Sequence, residues 1–158
     1  MRLTRFLLAG AIVFVMASPA LADVTVFLGG TTTPATRVAR GFSVGAGLLF
    51  VGFEFEYAGS SEELIDGAPL LRTGMGNVLL QTPMIHGFQP YFTTGMGGYR
   101  EELGPVSETQ FGLNNGGGVK IALAGPVRAR LDYRVFTLKG DPLYSTVHRF
   151  YAGLNLKF

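Results

Sequence analysis

Two stretches of the chain carry charged residues at every second position, a spacing that puts them all on one face of a β-strand. One stretch holds Arg128, Arg130, Asp132 and Arg134, and the other holds Glu54 and Glu56. Charged groups enclosed together cost several kcal/mol each unless opposite charges pair. The first chemistry that the sequence indicates is therefore an ion-pair network.

Residues suited to catalysis or metal binding are few. The chain has no cysteine, which excludes a disulfide framework, a thiolate metal site and a cysteine nucleophile. His86 and His148 are far apart in the sequence, and no helical carboxylate pair accompanies them. Gly29-Gly30 lacks the lysine and the helix that follow a phosphate-binding loop. We predict no catalytic residue, no cofactor and no metal.

The N-terminus has the form of a secretory signal peptide. Arg2 and Arg5 precede an apolar run at 6–17, and Ala20 and Ala22 supply the small residues of a cleavage site. An uncleaved membrane anchor is the alternative, but the apolar run is shorter than the ~20 residues that a spanning helix needs. We predict cleavage after Ala22.

The domain that remains, residues 23–158, has no net formal charge. Arg2 and Arg5 account for two of the 13 basic residues, so 11 remain against 11 acidic residues. The basic isoelectric point of the whole chain therefore gives no support to a nucleic-acid partner. No later stretch approaches ~20 consecutive apolar residues. If this domain crosses a membrane, a closed β-barrel is the architecture left to it.

The mature domain has the sequence pattern of a β-meander. Segments rich in β-branched, aromatic and glycine residues predict eight strands, at 24–30, 42–50, 51–59, 71–82, 90–100, 109–122, 127–138 and 148–158. Short connections at 49–52, 83–89 and 124–126 alternate with longer polar ones at 31–41, 60–70, 101–108 and 139–147. This alternation is typical of an up-and-down barrel with its short turns at one end.

The alternation of charged and apolar residues does not by itself say which face is inside. The export signal, the lack of a helix to cover a sheet, and the glycine runs at 95–98 and 116–118 favour charges inside a small closed barrel. A soluble periplasmic β-barrel or sandwich that binds a ligand is the alternative.

The C-terminal stretch Tyr151–Phe158 resembles the assembly signal of bacterial outer-membrane proteins. The residues that carry the resemblance are Tyr151, Gly153, Leu156 and Phe158. The stretch Pro90–Tyr99 also resembles the glycine-rich middle strand of the OmpA/OmpX-type barrels.

The resemblance extends over all of the predicted strands. It implies a monomeric, eight-stranded, antiparallel up-and-down transmembrane β-barrel of the outer membrane, surrounded by lipid and lipopolysaccharide. It also implies that the assembly machinery recognises the last strand, which then pairs with the first. Four side chains of the last strand would face lipid: Phe150, Leu154, Leu156 and Phe158.

Strands three and seven lie opposite each other in an eight-stranded barrel, whose bore is only wide enough for side chains to fill. The predicted lumen residues are Glu54, Glu56, Lys120, Arg128, Arg130, Asp132, Arg134, Arg149 and Lys157. We expect them to close the lumen as an ion-pair network, as in OmpA-type barrels. Bases exceed acids in this set, so the alternative function is a narrow channel that weakly prefers anions.

An enzyme is a further alternative, because some eight-stranded outer-membrane barrels modify lipid A. The lipid A deacylases carry a histidine followed two residues later by a serine on one strand. Here His148 is followed by Arg149 and Phe150. The palmitoyltransferase barrel begins with an amphipathic helix, whereas Asp23 leads directly into a predicted strand. We therefore predict a structural or surface-binding role without enzymatic chemistry.

Basic residues in the predicted long loops suggest a contact with lipid. Arg37, Arg40 and Lys139 lie where phosphates of lipopolysaccharide are expected. Contact of these three side chains with such phosphates is one hypothesis, and ordinary solvated loop residues without a ligand are the alternative.

Overall fold

The computed structural model describes residues 21–48 and 50–158, which form a closed barrel of eight antiparallel strands. The strands are β1 Leu21–Thr31, β2 Arg37–Leu48, β3 Val51–Ser60, β4 Leu70–Gln81, β5 Phe88–Leu103, β6 Val106–Ala124, β7 Val127–Leu138 and β8 Thr146–Lys157. Each strand pairs with the next, and β8 pairs with β1, so the sheet has no free edge. The predicted fold, with all eight strands, is confirmed.

The predicted signal peptide falls almost wholly outside the described residues, as does Ala20 of its cleavage site. Ala22 is described, and it lies in β1 opposite Ala46. Within residues 21–48 and 50–158, no helix is long and apolar enough to cross a membrane.

The strand register fixes the tilt of the barrel. A row of paired residues that starts at Leu21 passes through every strand and returns to β1 at Thr31. A stagger of this kind tilts the strands by roughly 35–45° and produces a narrow bore. Side chains from opposite strands therefore meet inside it.

Polar and charged side chains occupy the barrel interior together with a smaller set of apolar ones, and apolar side chains cover its outside. Phe53 on the exterior is 65% exposed, whereas Arg130, Arg134 and Arg149 in the interior are 0% exposed. Apolar residues with exposed side chains occur on all eight strands, among them Val26, Phe42, Phe55, Leu80, Phe92, Phe111, Leu131 and Leu154. This arrangement reverses that of a soluble domain, which hides its large apolar residues.

The two ends of the barrel differ. We name them the loop end, with connections 32–36, 61–69, 104–105 and 139–145, and the turn end, with the end of β2, the start of β3 and the connections 82–87 and 125–126. The two longest connections, 61–69 and 139–145, lie at the loop end as the sequence predicts, although 32–36 is shorter than 82–87 at the turn end. The clearest exception to the prediction is at the loop end.

That exception is the segment 101–108, for which the prediction of a long loop is wrong. Strand β5 continues to Leu103 and β6 begins at Val106. Gly104 turns the chain with a φ of 57°, a left-handed conformation that glycine adopts without steric cost. The predicted loop 31–41 is likewise shorter, because Arg37 and the residues after it pair with β1.

Candidate functional site

The barrel interior contains a cluster of ion pairs near its middle. Arg134 lies at the centre, with its guanidinium nitrogens 2.8 Å from a Glu54 oxygen and 3.1 Å from oxygens of both Glu56 and Asp132. Arg130 also pairs with Glu54, and its Nη2 lies 2.8 Å from Asp132. The structure thus brings together the charged residues of β3 and β7.

Arg149 of β8 completes this ion-pair cluster. Its Nη1 lies 3.5 Å from Glu56 and donates to the Thr73 hydroxyl at 3.2 Å. Its guanidinium carbon lies 4.4 Å from the centre of the Phe136 ring, a cation–π contact. Three arginines therefore face three carboxylates, Glu54, Glu56 and Asp132.

Two tyrosines that the lumen prediction omits belong to the same network. Tyr151 donates its hydroxyl hydrogen to Glu56 at 2.8 Å, and its ring stacks on Phe27 with centroids 4.0 Å apart. The Tyr91 hydroxyl donates to Asp132 and accepts from Arg130. The sequence signal for Tyr151 was its alternation with the exterior residues of β8.

Three of the predicted lumen bases lie outside the ion-pair cluster, at the mouth of the barrel at the turn end. Lys120 pairs with Asp23 at 2.6 Å, and Arg128 donates to Gln89 at 3.1 Å. The ammonium group of Lys157 forms no hydrogen bond or ion pair with another described residue, and Lys157 helps to line a cavity of about 260 Å³. Because Asp23 also faces inward, the basic excess is smaller than the sequence suggests and is concentrated at Arg128 and Lys157.

An apolar plug fills the lumen between the ion-pair cluster and the loop end. Its members are Leu71, Met75, Tyr99, Phe136, Leu138 and Val147. Phe136 and Leu138 are the inward positions that follow Arg134 along β7, so the plug lies directly beyond the cluster. The sequence does not predict this layer, and the predicted closure of the lumen rests on charges alone.

Arg37 closes the loop end from inside. It donates to the carbonyl oxygens of Thr33 at 2.8 Å, Ser61 at 3.2 Å, and Pro69. The expectation that Arg37 contacts lipid phosphate is wrong, because its side chain is 5% exposed and faces the lumen. Arg37 instead ties loop 32–36 to loop 61–69.

Other contacts brace the same end. The backbone N–H of Gly104 donates to Glu62 at 2.7 Å, that of Leu143 donates to Glu101 at 3.1 Å, and the Tyr99 hydroxyl donates to the Lys139 carbonyl at 2.7 Å. Glu101 lies near the loop end of β5, outside the part of the barrel that the apolar exterior surrounds. Burial raises the pKa of its carboxyl group above the ordinary value. Every connection at this end is therefore tied to a neighbour.

Replacing Arg37 by methionine should loosen these loops. The variant loses three hydrogen bonds from a charged donor, each worth about 1.5–3 kcal/mol. We expect proteinase K to cleave within 32–36 or 61–69 at least about tenfold faster, since about 1.4 kcal/mol corresponds to tenfold. Arg40→Met, on the exterior of the same strand, is the control, and equal cleavage of both variants would contradict the assignment.

The histidines lie outside the lumen. His148 faces the exterior, where its Nδ1 lies 2.8 Å from the Tyr133 hydroxyl. His86 lies in the turn 82–87, with a φ of 51°. In the described part of the chain, no group of three or more histidine, cysteine or acidic residues is placed to hold a metal ion.

The fold and the filled lumen define a small up-and-down β-barrel with a plugged interior. Neither a protein-family model nor a curated protein sequence matches the chain. Among solved structures, Neisserial surface protein A (NspA) superposes with a TM-score of 0.71 at 16% identity, over 87% of this chain and 96% of that one. The N-terminal β-barrel domain of Pseudomonas aeruginosa OprF gives a TM-score of 0.67 at 16% identity, over 88% and 98%.

A third solved structure bears on the question of catalysis. The outer-membrane enzyme PagL superposes with a TM-score of 0.53 at 11% identity, over 85% of this chain and 98% of that one. The fold is therefore that of the outer-membrane barrels, as the resemblance to the OmpA/OmpX type implied. The predicted outer-membrane location agrees with these neighbours. The same fold carries enzymes as well as other proteins, so function has to be argued from the residues.

Proposed function

We propose that this chain is a monomeric integral β-barrel of the outer membrane with a closed lumen and a structural or surface-binding role, without enzymatic activity. The observation that carries the proposal is the combination of an apolar exterior with an interior blocked by two successive layers.

The exterior suits a hydrocarbon surrounding. Strands β1 to β4, β7 and β8 have 10 to 12 residues each, and ~9–11 tilted residues cross a bilayer. Thr94 and Asn115 are polar and face outward, but their side chains hydrogen-bond to each other at 2.8 Å. Aromatic rings of Phe50, Phe88 and Phe158 are exposed near the turn end, as in the girdles of membrane barrels.

The lumen has two different barriers to ions. In the ion-pair cluster, an ion would have to displace arginines that are fully buried and matched by carboxylates. In the apolar plug, it would lose its hydration without gaining polar partners. Because the two layers block the lumen one after the other, opening one of them does not open the bore.

The last strand supports assembly in a membrane. Leu154, Leu156 and Phe158 are exposed on the exterior, and β8 forms the closing seam with β1. We propose that the assembly machinery recognises Tyr151, Gly153, Leu156 and Phe158 before the seam forms. Tyr151 then turns inward and becomes part of the ion-pair network.

The braced loops support a role at the cell surface. Loop 61–69 forms a small hairpin closed by backbone hydrogen bonds between Glu63 and Ala68. At its tip, Leu64 is exposed and Ile65 is 93% exposed. A rigid loop with apolar side chains in water is suited to binding a partner.

A lack of ion conductance is the main testable consequence. We expect the purified protein to migrate faster on a gel before boiling than after it, and to give no stepwise currents in a planar bilayer. Stepwise anion-selective currents would favour a narrow channel, for which Arg128 and Lys157 at the turn end are the supporting observation. Recovery in the soluble periplasmic fraction, without a heat-dependent shift, would favour a soluble β-barrel.

A further inference from the structure

One row of the barrel exterior carries three arginines near the loop end. The register pairs Leu28 with Arg40, Arg40 with Gly59, Gly59 with Arg72, and Arg72 with Arg100. Residues paired across neighbouring strands share a face of the sheet, so all three arginines point outward. They lie at the border between the apolar exterior and the loops.

The three arginines differ in their partners. Arg100 forms an ion pair with Glu102, with nitrogen and oxygen 2.6 Å apart. The side chains of Arg40 and Arg72 form neither a hydrogen bond nor an ion pair with any residue of 21–48 or 50–158. Their strands are separated only by β3, whose residue in this row is Gly59, so their backbones are about 10 Å apart.

The space around this arginine pair is an amphipathic groove of about 850 Å³. Its side toward the membrane centre is formed by Leu28, Phe42 and Tyr57. Its rim at the loop end carries Ser61 and Glu62. A Cβ atom placed on Gly59 would touch only the Arg72 Cγ at 3.8 Å and the Leu71 oxygen at 4.0 Å, so the floor between the arginines is open.

We propose that this groove binds a phosphorylated glycolipid of the outer leaflet. The site rests on the proposed function, because it needs the exterior to face lipid. A guanidinium group binds phosphate through two parallel hydrogen bonds, and Arg40 and Arg72 supply two such groups on either side of Gly59. The acyl chains lie along Leu28 and Phe42.

The rim is the reason to choose a glycolipid over a phospholipid. Ser61 can donate to or accept from a sugar hydroxyl, and Glu62 keeps one carboxylate oxygen for the same purpose while the other accepts from Gly104. A phospholipid headgroup has a single phosphate and fewer hydroxyls for the two arginines and the rim. A phosphorylated sugar can bind the two arginines through its phosphate groups and the rim through its hydroxyl groups.

The test measures binding of bisphosphorylated lipid A to the folded protein in detergent by native mass spectrometry. We expect Arg40→Gln/Arg72→Gln to weaken binding at least about tenfold relative to the unchanged protein. The control is Arg128→Gln/Lys157→Gln, which removes the same number of charges at the turn end. If the control loses as much affinity as the test variant, net charge explains the binding and the proposal is overturned.

A second variant keeps both charges and fills the space between them. Gly59→Leu places a side chain on the open floor of the groove and should also weaken lipid A binding several-fold. Gly98→Leu is the matched control, because Gly98 is an exterior glycine whose nearest Cβ contact is the Gln110 oxygen at 3.9 Å. Unchanged affinity in both Gly59→Leu and Arg40→Gln/Arg72→Gln would refute the site.

Binding of other ligands tests whether the bound phosphate belongs to a glycolipid, to a phospholipid or to free inorganic phosphate. Dephosphorylated lipid A and phosphatidylglycerol should bind at least about tenfold more weakly than bisphosphorylated lipid A, and millimolar inorganic phosphate should not compete. Equal binding of phosphatidylglycerol, or displacement by inorganic phosphate, would overturn the choice of a glycolipid. The heat-dependent gel shift separates the two proposals: its absence in the unchanged protein contradicts the membrane barrel, whereas its presence without lipid A binding contradicts only this site.

Discussion

Replacing Gly29 by alanine should prevent the barrel from closing. Gly29 lies on the seam between β1 and β8, opposite Tyr151. A Cβ atom at this position would lie 1.9 Å from the carbonyl oxygen of Phe150 and 2.5 Å from the Tyr151 Cα. Both are backbone atoms, so no rotamer change relieves the overlap. The seam would have to separate, and the Tyr151 contacts with Phe27 and Glu56 would be lost with it.

The measurement is the folded fraction after refolding from urea into detergent, read as the band that migrates faster without boiling. We expect Gly29→Ala to give almost none, because the combined loss exceeds about 4 kcal/mol. Gly30→Ala is the matched control, since its Cβ would meet its nearest atom, the Arg37 oxygen, at 3.7 Å. Equal folded fractions for the two variants would show that the seam accepts a side chain at both positions.

The sequence predicts the strand faces best where charges mark one of them. In β3 and β7, every second residue is charged or strongly apolar, so the inward positions Glu54, Glu56, Arg130 and Arg134 could be identified before the fold was known. A charged residue is excluded from an apolar exterior. The pattern of charges therefore predicts both the presence of the strand and which of its faces points inward.

The sequence does not predict the apolar plug, because the one charged residue of β4, Arg72, faces outward and no charge marks the inward face of this strand. Leu71, Met75 and Leu79 face inward, while Val78 and Leu80 on the same strand face outward. Glycines at 74 and 76 hide the alternation further. Only the closed barrel shows which apolar face is enclosed, because a residue's face depends on the register with both neighbouring strands.

The polar strand ends were mistaken for loops for a related reason. Beyond the apolar exterior both faces of a strand meet water or polar loops, so a period of two in hydrophobicity is not required there. The stretch 101–108 is mostly polar, with Leu103 and Val106 as its aliphatic residues, and still forms most of a hairpin. Arg37 was assigned to a loop on the same grounds, although it pairs with Thr31 and faces inward.

The bases at the turn end of the lumen have partners that are too distant in the sequence to be deduced from residue spacing. Asp23 pairs with Lys120, and Gln89 accepts from Arg128. The first contact joins β1 to β6 and the second joins β5 to β7, and both depend on the stagger of the barrel. The sequence identified the bases, but the residues that satisfy them follow only from the closed structure.

Replacing Arg134 by methionine should cost about 3–5 kcal/mol of unfolding free energy, because it leaves buried carboxylates without their shared cation. Arg134 contacts Glu54, Glu56 and Asp132, all of them buried. Arg130 still pairs with two of these, but Glu56 keeps only Tyr151 and an Arg149 nitrogen at 3.5 Å. The measurement is a urea titration of the protein in lipid vesicles, followed by the heat-dependent gel shift.

Two further variants test whether the cost comes from the uncompensated charge. Arg100→Met removes an arginine from a largely exposed pair with Glu102, and should cost no more than about 1 kcal/mol. Arg134→Met/Glu56→Gln also removes the charge of Glu56, the carboxylate that keeps the weakest pairing once Arg134 is replaced. This double variant should recover part of the stability lost in Arg134→Met. A cost below about 1 kcal/mol for Arg134→Met would mean that water already solvates these carboxylates. The bore would then be hydrated at the cluster, and only the apolar plug would separate this barrel from a channel.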